Sequence, residues 1–233
     1  MSSWFEGPPR LVPHRWHGDA VLAEPDHGTE LAWPAGSRPG PEDVVVMGPR
    51  TRAHYWDGVR SPAGCVRVRV ASGRAADLLG LPVRAITDRA VPLRNFDLDV
   101  VDLLRDAAPA PAGPSRLLGT AARLFTGARP EPVHRAARRL HVSERHLRGL
   151  FTSGVGVPPR LYTLIDRVRV VLDHPDLPLP EVAALAGFYD QSHMTAAFRR
   201  LMGAPPAAFR AGRWPAPQRC GRPAPAGRPA PAL

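Results

Sequence analysis

The spacing of hydrophobic residues divides the chain into a β-rich first part and a helical second part. In CVRVRV (65–70) valines alternate strictly with arginines, which predicts a strand with its valines inward and its arginines outward. DVVVMG (43–48) is also typical of a strand, and GRAADLLG (73–80) of a short helix. We therefore predict a small β-rich domain over residues 1–105.

A segment with neither periodicity separates the two parts. Residues 106–115, DAAPAPAGPS, are rich in alanine, proline and glycine, a composition typical of a linker. Helical spacing of hydrophobic residues follows, and it predicts an all-α domain over 116–213. Residues 214–233 are rich in proline and arginine and are predicted to be a disordered tail.

The helical part contains an internal repeat with an offset of 47 residues, in one register and without a gap. A period in this range indicates a duplicated supersecondary unit. The matching positions are Ala136-Ala137 with Ala183-Ala184, Ser143 with Asp190, His146 with His193, Leu147 with Met194, Phe151 with Phe198, Gly156 with Gly203, Pro158-Pro159 with Pro205-Pro206, and Tyr162 with Phe209.

Each copy of the repeat predicts two short helices joined by a tight turn. Ser143 and Asp190 are suitable N-caps for the second helix of each copy. In the second copy Val182, Leu185 and Ala186 are predicted to face inward. This arrangement is typical of the DNA-binding helix-turn-helix, whose second helix enters the major groove; a plain helical hairpin is the alternative.

One hydrophobic stripe runs along LYTLIDRVRVVL (161–172), between the two copies. It predicts a linker helix that fixes the two units relative to each other. A separation of ~34 Å, one turn of B-DNA, would let both units read the same face of a duplex. The predicted fold class is α+β: a β-rich domain, then an all-α domain with two helix-turn-helix units joined by this helix.

The charge of the chain favours a polyanionic partner. The formal net charge is +10, and all 31 basic residues are arginine. Arginine suits phosphate and guanine better than lysine does, although the codon bias of a GC-rich genome also accounts for the missing lysine. Residues 130–214 carry 12 arginines against 7 acidic residues, a formal net charge of +5.

The remaining composition argues against several other classes of protein. Cys65 and Cys220 are too few and too far apart for a disulfide framework or a zinc site. The sequence has no apolar segment at its start and no run of 18 apolar residues, so we expect a soluble, cytoplasmic protein with no membrane partner.

Two stretches of the helical part resemble the DNA-binding domain of the AraC/XylS family of transcriptional regulators. They are VSERHLRGLFTSGVGVPP and AALAGFYDQSHMTAAFRRLMGAPPAAFR, and the second resembles the family's signature. The resemblance covers residues 116–213. It implies a sequence-specific DNA-binding transcription regulator that is no enzyme and needs no cofactor or metal. Promoter DNA is its implied partner, RNA polymerase is a further candidate partner, and the oligomeric state stays open.

The first part more weakly resembles a small β-rich domain found in some actinobacterial members of this family. The segments VVVMGPRT and LLGLPVRAITDRAVPL carry that resemblance. It implies a domain that senses a small-molecule effector or mediates dimerisation. Trp16, Trp33, Tyr55 and Trp56 are candidates for the lining of an apolar pocket or for the core.

The predicted DNA contacts lie on the second helix of each unit. Arginine can bind the O6 and N7 atoms of guanine or a phosphate, and glutamine prefers adenine. The basic pair late in the second helix is predicted to hold the DNA backbone. The predicted residues are Glu144, Arg145 and Arg148 in the first unit, and Gln191, Ser192, His193, Thr195, Arg199 and Arg200 in the second.

Two further comparisons can be made between the two units. The family commonly has arginine where this chain has Gly149 and Ala196, so one unit is predicted to contribute less base readout than the other. His146 and His193 are equivalent in the repeat. We predict a structural role for His146 and leave the role of His193 open.

Two alternative functions remain at this point. A nonspecific nucleoid-type protein would bind DNA by charge alone, but it would need a stronger basic stripe than residues 130–214 provide. A cupin-like metal enzyme with a DNA-binding domain would use the histidines of the first part. His14, His17, His27 and His54 show no H-x-H pair followed by a carboxylate, which argues against that enzyme.

Overall fold

Two sheets and a series of helices account for the regular structure of the described part of the chain. The structure is a computed structural model, and it describes residues 4–12, 15–17, 20–36, 40, 42–57, 65–96, 98–99, 103–104, 112–127 and 129–219. The strands in this part are β1 Arg10–Val12, β2 Arg15–His17, β3 Ala20–Ala23, β4 Glu30–Pro34, β5 Val45–Met47, β6 His54–Asp57, β7 Cys65–Arg69, β8 Ala90–Pro92 and β9 Gln218–Arg219. The helices are α1 Ala75–Leu79, α2 Gly113–Leu124, α3 Val133–Arg139, α4 Glu144–Val155, α5 Pro159–Asp173, α6 Leu179–Leu185, α7 Gln191–Met202 and α8 Pro206–Arg210, with 3-10 helices at Val83–Ile86 and Leu93–Phe96.

The strands form two separate sheets. The first has the order β1-β7-β4-β5-β8 and is antiparallel throughout. One of its faces forms a core with α1 and the 3-10 helices, and this core includes Leu31, Trp33 and Val68. The second sheet has the order β2-β3-β6-β9. Its Leu22 and Tyr55 belong to the hydrophobic core of the second helical unit, so this sheet is packed on the helical domain.

The arginines of β7 do not face solvent as the alternating pattern predicts. Arg67 and Arg69 are largely covered, with side-chain exposures of 22% and 21%. Arg69 Nη2 lies 2.6 Å from Asp26 Oδ2 and 3.1 Å from Glu30 Oε1. The alternation therefore separates the two faces of the strand correctly. The face opposite the valines meets a charged layer that the sequence pattern does not reveal.

The helical part has the predicted double unit. Helices α3 and α4 form the first unit, α6 and α7 form the second, and α5 joins them. Ser143 and Asp190 each accept a hydrogen bond from the backbone N–H three residues later, at 3.1 and 2.7 Å. Gly156 and Gly203 end α4 and α7 with φ of 90° and 76°, a region that favours glycine. The repeat in the sequence is thus a repeat in the structure.

The two units bury nearly the residues that the periodicity predicts. Phe151 and Phe198 are almost fully buried at equivalent positions. Leu185 differs, because it is 49% exposed although we predicted it to face inward. Helix α6 packs through Val182 and Ala183, with the predicted Ala186 just after it, and Leu185 lies outside this contact face.

The segments at the two ends of the helical domain also differ from their predicted bounds. Helix α2 begins at Gly113, inside the predicted linker 106–115. Residues 214–219 are ordered against the domains rather than part of a free tail: Trp214 stacks on Phe209 with ring centroids 5.1 Å apart, and β9 pairs in parallel with β6. Residues 220–233 of the predicted tail lie outside the described part of the chain.

The β-rich domain contacts the end of the second helix in both units. Thr87 Oγ1 donates a hydrogen bond to the carbonyl oxygen of Gly156, at 2.8 Å, just after α4. Tyr55 Oη donates to the carbonyl oxygen of Met202, at 2.6 Å, in the last turn of α7. The same domain therefore contacts both units.

A buried ion cluster joins the β-rich domain to the linker helix. Asp26 is 5% exposed and lies 2.6 Å from Arg69 of β7 and 2.6 Å from Arg169 of α5, with Arg50 at 4.0 Å. Burial alone would raise the pKa of Asp26, but the neighbouring guanidinium groups outweigh it and hold this pKa well below its usual range. Asp26 is therefore a charged, compensated contact between the two domains at neutral pH.

We predict that Asp26→Asn lowers the free energy of unfolding at pH 7 by about 3–5 kcal/mol, because it leaves buried guanidinium groups without their common counter-charge. Urea denaturation measures this. Asp176→Asn, at an exposed position, is the control and should change stability by less than about 0.5 kcal/mol.

Acid should remove the same stabilisation. Because the pKa of Asp26 is lower in the folded state, its contribution is complete above the unfolded-state pKa of about 4 and declines as the pH falls further. The stability gap between wild type and Asp26→Asn should therefore narrow below about pH 4. Equal stability of the two proteins at pH 7 would contradict the role assigned to the cluster.

Candidate DNA-binding surface

Helix α4 of the first unit presents a polar face to solvent. Its N-cap Ser143 fixes where the helix starts, and Leu147 and Phe151 anchor the opposite face in the core. The predicted residues Glu144, Arg145 and Arg148 are all exposed. The structure thus places the predicted set together on one accessible face.

The two arginines of this face differ in their partners. Arg148 Nη2 lies 2.7 Å from Glu144 Oε2, one helical turn away, with both side chains nearly half exposed. Such a surface pair contributes only about 0.3–0.5 kcal/mol, so Arg148 can exchange it for a stronger ligand. Within the described residues, Arg145 makes no hydrogen bond or ion pair, so its guanidinium is available directly.

Helix α7 of the second unit presents the predicted residues at two levels. The first turn exposes Gln191, Ser192 and His193, and the last turns expose Arg199 and Arg200. Thr195, also predicted to contact DNA, is half-buried beside them. The uncharged hydrogen-bonding groups therefore lie at the start of the helix and the cations nearer its end.

The two equivalent histidines have different environments. The ring of His193 packs edge-on against Phe188, with centroids 5.4 Å apart, although the residue is exposed. His146 is exposed, and its ring contacts no other ring in the described part of the chain. We predicted the structural role for His146, but His193 is the histidine with the packing contact.

A groove of about 400 Å³ runs beside the first unit. Glu144 and Arg148 line it from α4, and Arg160 and Arg167 line it from α5. Sequence reasoning did not identify these two arginines of the linker helix, because they belong to neither copy of the repeated recognition helix. They add positive charge next to the predicted contacts.

A second groove, of about 800 Å³, lies along α7. The predicted residues of α7 line it, except His193, and so does Arg52 of the β-rich domain. Arg52 lies in the loop between β5 and β6, about 140 positions before α7. Neither periodicity nor the repeat could have indicated it.

The enzyme alternative rested on four histidines, of which His14 lies outside the described residues. Among the described residues, no three His, Cys, Asp or Glu side chains come together as a metal site. His27 packs against Tyr162 with ring centroids 4.0 Å apart, and His54 stacks on Trp56 at 5.6 Å. In the same part of the chain, no helix is both long and apolar enough to span a bilayer.

Comparison with known proteins identifies the helical domain. The family model described as "Helix-turn-helix domain" matches residues 136–212. A crystal structure of the DNA-binding domain of AdpA, a global transcriptional factor, in complex with a target DNA is 27% identical, covers 42% of this chain and 89% of that one, and has a TM-score of 0.36. The C-terminal domain of AraT, a response regulator from Geobacillus stearothermophilus, is 23% identical over 44% of this chain and 87% of that one, with a TM-score of 0.37. ToxT from Vibrio cholerae is 10% identical over 91% of this chain and 96% of that one, with a TM-score of 0.40.

No curated protein matches the chain at a significant level. The family match nevertheless agrees with the repeat, the caps and the buried stripes described above. The chain is a DNA-binding transcription regulator. Residues 136–212 are its helix-turn-helix domain, and this domain is of the AraC type, which confirms the predicted family.

We predict that Gly149→Ala raises the free energy of unfolding by about 0.5–1 kcal/mol, because glycine is costly inside a helix. A Cβ at Gly149 meets nothing within 4 Å on the exposed face of α4. Gly156→Ala is the matched control: its φ is 90° and its Cβ would lie 2.8 Å from Thr87 Oγ1, so this variant should be destabilised. Thermal unfolding of both variants tests this, and a loss of stability in Gly149→Ala would contradict the exposed-helix assignment.

Proposed function

We propose that α4 and α7 enter successive major grooves of one promoter duplex. The observation that carries this proposal is the matching geometry of the two units: equivalent caps, equivalent buried phenylalanines, and a second helix exposed along the opposite face. Helices presented in this way are suited to reading base edges with their N-terminal residues. Regulation then requires binding alone, without a covalent step.

The exposed side chains suggest distinct roles within each helix. Arg145 and Arg148 are suited to guanine or phosphate, and Gln191 is suited to adenine, with Ser192 as a flexible neighbour. Arg199 and Arg200, farther along α7, bind the DNA backbone. Gly149 and Ala196 lack the arginine that the family commonly has there. We therefore expect one unit to contribute less base readout than the other.

The β-rich domain modulates this binding through the spacing of the two units. Its contacts at Gly156 and Met202 lie at the ends of α4 and α7, and the ion cluster around Asp26 holds α5 between them. A change in how the β-rich domain docks would therefore change how both helices meet the duplex. A small-molecule effector or a partner such as RNA polymerase would act through these contacts.

Selection of random duplexes by the purified protein tests the proposed function. We expect enrichment of a two-part motif whose halves are about one helical turn apart, with a preference that survives physiological salt. The winning duplex is then titrated against scrambled DNA at several salt concentrations. Weak binding without a motif, lost steeply as salt rises, would instead favour the nonspecific nucleoid-type alternative.

We predict that Arg148→Ala weakens binding to the selected duplex by about 1–3 kcal/mol and relaxes base preference at one position of one half-site. Gln191→Ala should have a similar effect confined to the other half-site. Repeating the selection and footprinting with each variant measures this. Arg123→Ala, which removes an exposed charge of α2, is the control. Equal losses on all sequences would make Arg148 a phosphate contact, and an unchanged second half-site would refute the role of Gln191.

A further inference from the structure

We infer that Arg52 of the β-rich domain binds a DNA backbone phosphate beside the half-site that α7 reads. This inference rests on the proposed function and assigns part of the DNA contact to the domain that was expected only to sense or dimerise. Arg52 lines the groove of about 800 Å³ along α7, together with Arg199 and Arg200. The groove has three arginines and no acidic residue among its lining residues.

The chain after Arg52 is fixed to the end of the recognition helix. The N–H of Ala53 donates to the carbonyl oxygen of Leu201, at 2.7 Å. Two residues later, Tyr55 Oη donates to the carbonyl oxygen of Met202, at 2.6 Å. These bonds satisfy carbonyl groups in the last turn of α7, which that helix itself leaves unpaired. Arg52 is therefore positioned relative to α7 by direct backbone contacts.

The chain before Arg52 is fixed to the β-rich domain. Both the N–H and the hydroxyl of Thr51 donate to the carboxylate of Asp88, at 2.6 and 2.7 Å. Arg50 pairs its backbone N–H and C=O with the backbone of Asp26, at 2.7 and 2.9 Å. The backbone is thus hydrogen-bonded on both sides of Arg52, to the β-rich domain before it and to α7 after it.

The Arg52 side chain itself is exposed, and in the described part of the chain it makes no hydrogen bond or ion pair. Three guanidinium groups around one groove repel each other unless an anion lies between them. Base edges are read from the N-terminal end of a recognition helix, whereas Arg52 is attached beside the last turn of α7. Its position therefore fits a phosphate, which guanidinium groups bind with strong, charge-assisted hydrogen bonds.

The contact makes DNA binding by the second unit depend on the docked β-rich domain. Arg52 can reach the duplex only while Ala53 and Tyr55 remain bonded to α7. Anything that separates the two domains would remove a cation from the DNA-binding surface as well as change the spacing of the units.

Arg52→Ala in the full chain tests the inference, with binding to the selected duplex measured over a range of salt concentrations. We expect roughly tenfold weaker binding at low salt, nearly equal on selected and scrambled DNA, and a salt dependence reduced by about 0.9 in log–log slope. Protection of backbone positions beside the second half-site should also be lost. Arg52→Lys should retain most of the affinity, and Arg89→Ala, at another exposed arginine of the same domain, should match wild type.

The outcomes separate this inference from the proposed function. If wild type selects a two-part motif but Arg52→Ala binds it with unchanged affinity and salt slope, the role of Arg52 is refuted and the proposed function stands. If the loss falls on one base pair and the salt slope is unchanged, Arg52 is a base contact and the phosphate assignment is wrong. If wild type selects no motif, the proposed function fails and this inference with it. Thermal unfolding checks that Arg52→Ala is folded, and the Arg52→Lys comparison detects a loss caused by the loop rather than the charge.

Discussion

The buried carboxylate of Asp26 is the contact on which the arrangement of the two domains depends. A charge with 5% exposure is costly unless several partners compensate it. Arg50 and Arg69 come from the β-rich domain, but Arg169 comes from the linker helix α5. Full compensation therefore requires that the domains be docked. The cluster therefore favours the docked arrangement, together with the hydrogen bonds from Thr87 to Gly156 and from Tyr55 to Met202.

This docking has a direct consequence for DNA recognition. The β-rich domain holds α4 and α7 near their C-terminal ends, through Gly156 and Met202, and leaves their N-terminal halves exposed. Among the described residues, no hydrogen bond joins the N-terminal half of either helix to the β-rich domain. These are the ends that would enter the major groove. In the proposed function, spacing and readout would thereby be separated: the β-rich domain would set the positions of α4 and α7, and their exposed side chains would determine which bases they bind.

Much of the helical domain could be predicted from the sequence, because its determinants are local. The caps at Ser143 and Asp190 act over three residues, and the buried stripes follow a period of 3.6. Prediction was less reliable where a residue lies at the edge of such a stripe. Leu185 has the correct spacing but is exposed, because α6 makes a narrower contact than its hydrophobic pattern indicates.

Periodicity, capping and signature residues are properties of short stretches, so the β-rich and helical parts, the duplicated unit and the family could be predicted from the sequence. The groups that cover Arg67 and Arg69, and the position of Arg52 beside α7, could be identified only in the folded molecule. The same holds for the packing of Trp214 on Phe209, where the sequence predicted the start of a free tail. Arg67 and Arg69 meet Asp26 and Glu30, distant in the chain, once the β-rich domain is folded. Arg52 meets α7 only when the two domains dock. The Trp214 contact depends on a surface that exists only once α8 is folded, so no local pattern could have encoded any of them.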